Sequence, residues 1–426
     1  SLNIYPYLVY FDQYISISGD VMPIEFYVFP DHYNQLSGNY SLTKGILSDF
    51  AVLFGEYPFI NEKYGHAEFG GGGMEHQTIS GLTGWPVWKI VHEAAHQWWG
   101  GNVTIKSFHH IWLNEGFARY GEALWYEKNY NSLQGYMVDR SYYGPGTVYR
   151  YDPNTTSDIF ISDLVYNKGA WVLHMLRNVV GDSLFFNGLK IYGQTFGGAS
   201  ATTEDFRDIM ESVTNIDLNS FFEQWIYNEG FPHYQINWEQ ENDSIFVTIE
   251  QTQELGPIFK MPIDLEIQCV DTTIFKVIEN DLDIQCYSFI IPSDQNVERI
   301  VLDPDEWILK YAIYLLDTDN EYSDLPENLN LKQNYPNPFN SNTIIEYELP
   351  KPGYVNIKIY DVNGRQINSL ISRNENSGIY SVPWDGTTDG KQRVPTGVYF
   401  YTINYTYDET NGKKNIIKNK KMLLLK

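Results

Sequence analysis

Two histidines four residues apart, His92 and His96, constrain this chain more than any other feature. On a helix, such residues project from one face about one turn apart, so both imidazoles can reach a single metal ion. Glu93 lies between them, placed to receive a proton from a water on that ion. The flanking residues favour a helix: Val87, Ile90, Val91, Ala94 and Trp98 recur with helical spacing. Trp85-Pro86 supplies a start and Gly100-Gly101 a stop.

The bare H-E-x-x-H pattern is only moderately specific, and a third ligand narrows it. Trp112-Leu113-Asn114-Glu115-Gly116-Phe117-Ala118-Arg119-Tyr120 reads as the first turns of a second helix. Glu115 would supply a carboxylate oxygen, giving a two-histidine, one-glutamate site with an open fourth position. The longer metzincin pattern would need Gly at 99 and His at 102, where this chain has Trp99 and Asn102. His109 and His110 fall in the presumed loop before the second helix and read as surface or supporting residues. Trp98 and Trp99 read as packing residues, and Asn114, adjacent to Glu115, and Glu122, two helical turns along, could orient ligands.

HEAAHQWWG followed by WLNEGFARY resembles the gluzincin aminopeptidases, the family of membrane alanyl aminopeptidase and leukotriene hydrolase. Two further stretches extend the resemblance. Gly70-Gly71-Gly72-Gly73-Met74-Glu75-His76-Gln77-Thr78 is similar to the family's G-x-M-E-N strand, and Tyr166-Asn167-Lys168-Gly169-Ala170 to its Y-x-K-G-A segment. The likeness covers about residues 20–235 well and the following sheet region weakly. It implies one Zn2+ per chain held by His92, His96 and Glu115, with Glu93 as general base for a zinc-activated water. It also implies that Tyr166 donates a hydroxyl to the developing oxyanion. Glu75 would bind the substrate's α-ammonium, and Gly72, Gly73, Met74 and His76 would line the peptide, so substrates are peptides with a free N-terminus. His76 departs from the family's usual Asn, which bears on exopeptidase selectivity rather than on zinc hydrolysis. The alternatives are a zinc endopeptidase, or a catalytically inactive surface binding protein on a peptidase fold.

Composition excludes other classes. With 29 Lys plus Arg against 54 Asp plus Glu, nothing would neutralise a phosphate backbone, so nucleic-acid binding is not expected. The 34 Tyr, 23 Phe and 11 Trp are too many apolar rings for a disordered chain. No run reaches the length of a transmembrane segment. Cys269 and Cys286 read either as a disulfide between neighbouring strands or as two buried thiols.

The expected class is a multidomain α+β protein: a thermolysin-like mixed sheet plus helical catalytic domain, a small β domain, and a C-terminal Ig-like β-sandwich. Residues 1–20 read as the lead-in or remnant of an N-terminal region, since relatives carry a β domain there. The catalytic domain is expected over 21–232, with a strand at Ile24–Phe29, a helix over Leu42–Phe54 and a capping box at Thr202–Asp205. Alternation of period two over 233–312 indicates the small β domain, and the acidic stretch Asp317–Asp324 a linker over 313–330. Short alternating strands over 331–426 indicate the sandwich. Its opening, QNYPNPFN, and its ending, KMLLLK, resemble the sorting domain of proteins exported by the bacterial type IX secretion system. That resemblance implies the type IX machinery as a partner and a secreted or surface-attached location. Opening at Ser1 without a leader, the chain is expected to be a fragment.

Overall fold

Met22, Ile24, Phe26 and Val28 alternate along one strand and are fully buried, which anchors a mixed sheet. The computed structural model describes residues 5–32, 38–315, 328–340, 342–375, 378–390, 392–409 and 412–425. The expected linker residues Asp317–Asp324 and the terminal Lys426 lie outside the described residues. The sheet has five strands, in the order β1-β2-β3-β5-β4. They are β1 (Leu8–Ile15), β2 (Val21–Val28), β3 (Tyr64–Glu68), β4 (Gly73–Met74) and β5 (Ser80–Leu82). β2, β3 and β5 run parallel, while β4 turns back antiparallel along β5 and forms an edge. Residues 8–15, expected as a lead-in, form the opposite edge: β1 pairs with β2 from Leu8↔Val28 to Ile15↔Val21. Tyr14 at its end is buried and donates to Glu56.

Helix α1 (Leu42–Phe54) buries Ile46, Leu47, Phe50, Ala51 and Phe54 along one face, as its spacing predicts. The helical region follows with α2 (Val87–Ala95), α3 (Trp112–Tyr130), α4 (Gly169–Val180), α5 (Asp182–Phe196) and α6 (Thr203–Thr214). Strands β6 (Val103–Ile105) and β7 (Ala199–Ala201) pair in parallel within it. The expected capping box forms: Thr202 accepts from the Asp205 amide while the Asp205 carboxylate accepts from Thr202 N–H. α2 ends at Ala95, short of the expected Gly100-Gly101 stop. Gly101 N–H donates to His96 O and Asn102 N–H to Gln97 O, so residues beyond the turn satisfy these carbonyls. No described helix is long and apolar enough to cross a membrane.

The chain divides into two units, one of Ser1–Met137 with Thr147–Asn228, the other of Val138–Gly146 with Glu229–Lys426. From Glu229 onward the described elements of the second unit are strands. β8 (His233–Glu241), β9 (Ser244–Gln251) and β12 (Ile284–Ile290) form one end of a seven-stranded sheet. β10 (Met261–Cys269), β11 (Thr273–Asn280) and β13 (Val297–Leu302) form a separate three-stranded one. β14 (Tyr311–Leu315) then pairs parallel with β8 and antiparallel with β19 (Gly378–Trp384). Beyond β19 the large sheet continues through β16 (Thr343–Leu349) to β15 (Asn330–Leu331). Thus residues 313–315, expected in the linker, are strand, and one sheet joins the small β region to the C-terminal region. The other layer is β18-β17-β20-β21, formed by β17 (Gly353–Asp361), β18 (Gln366–Glu375), β20 (Gly397–Glu409) and β21 (Gly412–Leu424). Ile345, Tyr347, Val355, Ile357, Ile359, Trp384, Tyr401 and Ile403 fill the core between the layers. The α+β class expected from the sequence therefore holds.

Cys269 and Cys286 are both free thiols and lie on strands of different sheets, so the two do not pair. Cys286 is exposed, because its side chain falls on the outward face of β12, where period two places it.

Candidate metal centre

Helix α2 turns His92 and Glu93 inward, and His96 follows at its C-cap with helical dihedrals (φ −60°, ψ −19°). All three are buried, as is Glu115 in the first turn of α3. The Nε2 atoms of His92 and His96 are 3.1 Å apart. Glu115 Oε2 lies 3.4 Å from the first and 3.3 Å from the second. A tetrahedral ion bound at about 2.0–2.1 Å separates any two ligand atoms by about 3.3 Å. The three sequence-predicted ligands thus form one face of a tetrahedron, and the donor set fits a divalent ion that takes nitrogen and oxygen.

Their orientation is fixed from behind. Glu122, fully buried two turns along α3 from Glu115, accepts from His92 Nδ1 at 2.8 Å. Arg119 Nη1, at 2.9 and 3.1 Å, and the Tyr136 hydroxyl, at 2.5 Å, also donate to that carboxylate. His96 Nδ1 meets the Trp99 carbonyl at 3.0 Å. In its neutral form each imidazole therefore presents Nε2 forward and holds its proton on Nδ1. The sequence marked Glu122 only as a candidate, by its heptad distance from Glu115. Arg119 and Tyr136 carried no signal. Asn114, the other candidate, packs beside Gly100 instead.

Glycines in both helical motifs serve a close crossing. A Cβ on Gly116 would sit 3.0 Å from backbone atoms of Gly169 and 3.2 Å from the Val165 carbonyl. This contact brings the π-helical turn Ser162–Lys168 against α3. Tyr166, on that turn, stacks on His92, with ring centroids 6.0 Å apart. The Arg119 guanidinium lies 5.7 Å from the centroid of the Tyr166 ring.

The edge strand β4 borders the remaining side. A Cβ on Gly73 would fall 2.0 Å from Glu93 Oε1, so the strand backbone comes directly against the carboxylate. Glu75 follows, with a carboxylate oxygen within 4.8 Å of atoms of both Glu93 and His96. Gly72 has φ +55° and is exposed, as are Met74 and His76.

The charges interact strongly. Burial pushes the Glu93 carboxyl up to about 7, with the two histidines opposing and Glu75 and Glu115 adding to the rise. Burial depresses His96, but the Glu115 carboxylate outweighs it and carries the imidazole up to about 10. Burial also acts against Glu115, whose pKa is nevertheless held low by His96 and His92. In Tyr166, burial and then Glu115 raise the phenol, which stays protonated as a donor.

His109 and His110 are not brought to the centre. His110 is buried and bonds Thr203 Oγ1 at 3.0 Å, and His109 Nδ1 bonds the Arg150 carbonyl at 2.5 Å. Trp98 and Trp99 are buried packing residues, as read from the sequence.

Comparison with known proteins agrees with this geometry. Residues 87–225 match the Peptidase family M1 domain, and residues 340–409 the FlgD Ig-like domain. Over 248 residues the chain is 25% identical to aminopeptidase N of Lactococcus lactis subsp. lactis, covering 54% of this chain and 29% of that protein. Over 156 residues it is 32% identical to aminopeptidase N of Lactobacillus helveticus, covering 34% of this chain and 18% of that protein. The chain spans less than a third of either relative. The crystal structure of Legionella pneumophila aminopeptidase A superposes with a TM-score of 0.66 at 18% identity, covering 73% of this chain and 39% of that one. The segment that supplies His92, His96 and Glu115 is thus similar to the peptidase family M1 domain, a metallopeptidase domain, within a chain whose fold is similar to that of an aminopeptidase.

Proposed function

We propose that this protein is a zinc aminopeptidase that removes N-terminal residues from peptides. The observation that carries the reading is the triangle of His92, His96 and Glu115 ligand atoms at tetrahedral spacing, with Glu93 and Glu75 close to His96 and Tyr166 stacked on His92. A bound zinc would polarise the scissile carbonyl and lower the pKa of water to about 7. Glu93 accepts the attacking water's proton and returns it to the leaving amine. Tyr166 donates its hydroxyl to the carbonyl oxygen as negative charge develops there, a contribution of roughly 2.7–4 kcal/mol for a preorganised donor. Glu75 accepts a charge-assisted hydrogen bond from the substrate α-ammonium, which sets the cleavage point one residue in. The edge of β4 lets the peptide lie alongside as an added strand.

The test is zinc content and hydrolysis of aminoacyl reporter amides for wild type and Glu93→Gln. Wild type should bind one zinc and release amines in a chelator-sensitive way from free but not N-acetylated substrates. Glu93→Gln should keep its metal and lose about 10²–10⁴-fold in turnover. Equal rates on free and acetylated substrates would leave an endopeptidase, and failure to bind zinc would leave an inactive binding protein.

We propose also that residues 331–426 act as a type IX sorting domain and that the protein is exported. The QNYPNPFN and KMLLLK segments support this; Lys421–Leu424 of the latter lie on β21, with Met422 and Leu424 in the sandwich core. Removing residues 331–426 should abolish export from a bacterium that has the machinery. Unchanged export would overturn the assignment.

A further inference from the structure

We infer that Gln97, next to the proposed ligand His96, positions the Glu75 loop and so sets the enzyme's preference for a free N-terminus. The inference rests on the aminopeptidase reading above. Gln97 is fully buried, and both ends of its amide are used. Oε1 accepts the Thr78 amide at 2.9 Å and the Tyr57 hydroxyl at 3.3 Å, while Nε2 donates to the His76 carbonyl at 3.3 Å. The amide therefore spans the turn from His76 to Ile79, which is itself closed by Ile79 N–H donating to His76 O. Thr78 within that turn has φ +64°, a left-handed conformation that a β-branched residue adopts only when its surroundings impose it. The Gln97 acceptor on the Thr78 amide supplies such a constraint.

The consequence is geometric. Glu75 lies between the short strand β4, which pairs through only two residues, and the clamped turn. Without the clamp its carboxylate loses one of two fixed points. The metal triangle does not depend on the amide, since His96 is oriented by the Trp99 carbonyl and Glu115. Gln97 is thus a positioning residue, and its removal should affect recognition of the ammonium before metal binding. A displacement near 1 Å at such a site costs roughly 100-fold.

The experiment compares leucine hydroxamate with its N-acetyl derivative as inhibitors of the full chain. It uses wild type, Gln97→Met, Gln97→Glu, Glu75→Gln and the Gln97→Met/Glu75→Gln double variant. Gln97→Met keeps the shape and removes both hydrogen-bonding ends; Gln97→Glu keeps the acceptor for Thr78. The preference for the free amine should fall about 10- to 100-fold in Gln97→Met and less in Gln97→Glu, with zinc content unchanged. The double variant should show no further loss of preference beyond Glu75→Gln, because both act through one carboxylate. An undiminished preference in Gln97→Met and Gln97→Glu, or additive losses in the double variant, would overturn the inference alone. No preference in wild type would overturn the aminopeptidase reading, and this inference with it.

Discussion

Replacing Glu122 by Gln tests how much of the metal site is built behind its ligands. The carboxylate is fully buried and receives His92 Nδ1, two contacts from Arg119 Nη1, and the Tyr136 hydroxyl. Gln preserves the volume but removes the charge and turns one acceptor into a donor, which must face Arg119, Tyr136 or His92. The hydrogen bond that orients His92 weakens, and its Nε2 becomes a poorer base. His96 is held independently by a backbone carbonyl, so only one of the three ligands is affected. Loss of such a supporting partner commonly reduces metal affinity 10- to 100-fold, or about 1.4–2.7 kcal/mol. Competition for zinc against a chromogenic chelator would measure this, with thermal unfolding of the metal-free forms reporting any general loss of stability. A zinc affinity within twofold of wild type would refute the reasoning, whatever happens to the melting temperature.

Tyr166→Phe should retain zinc and lose roughly 10²–10³-fold in kcat with little change in KM, as expected for a donor used mainly in the transition state; an equal rise in KM would argue instead for a role in substrate binding. Gly116→Ala forces a methyl onto the Gly169 backbone, so stability to urea should fall by about 1–3 kcal/mol and kcat should fall as Tyr166 is displaced. Unchanged urea unfolding would show that the crossing has slack. His66, fully buried against Phe26, Tyr64 and Trp85, has its pKa lowered by burial to about 3. The unfolded chain takes up a proton below about 6.5 where the folded one does not. Its stabilising contribution is therefore complete above that pH and is lost towards about 3, costing about 2 kcal/mol by pH 5. Urea unfolding of wild type and His66→Gln at pH 7.5 and pH 5 should differ by about that amount in pH dependence; parallel curves would contradict it.

Much of the site was legible before any coordinates. Helical periodicity forces His92 and His96 onto one face, and the Leu42–Phe54 helix and the Thr202–Asp205 cap follow from local spacing and hydrogen bonding alone. Such features are local, so sequence carries them. Other features depend on which distant segments meet. By residue type alone Tyr166 is one tyrosine among 34; the segment Tyr166-Asn167-Lys168-Gly169-Ala170 singles it out by resemblance, and the Gly116–Gly169 crossing accompanies its stacking on His92. Gln97 looks like an ordinary polar residue until a turn twenty positions upstream closes on it. β14, whose last three residues were expected in a linker, pairs with β8 and β19, partners remote along the chain. Residue type and periodicity marked the candidate ligands and the helix that carries His92 and leads into His96. Tertiary packing alone decided their supporting partners and the shared sheet, because hydrogen bonds and close approaches between remote segments leave no period in the sequence.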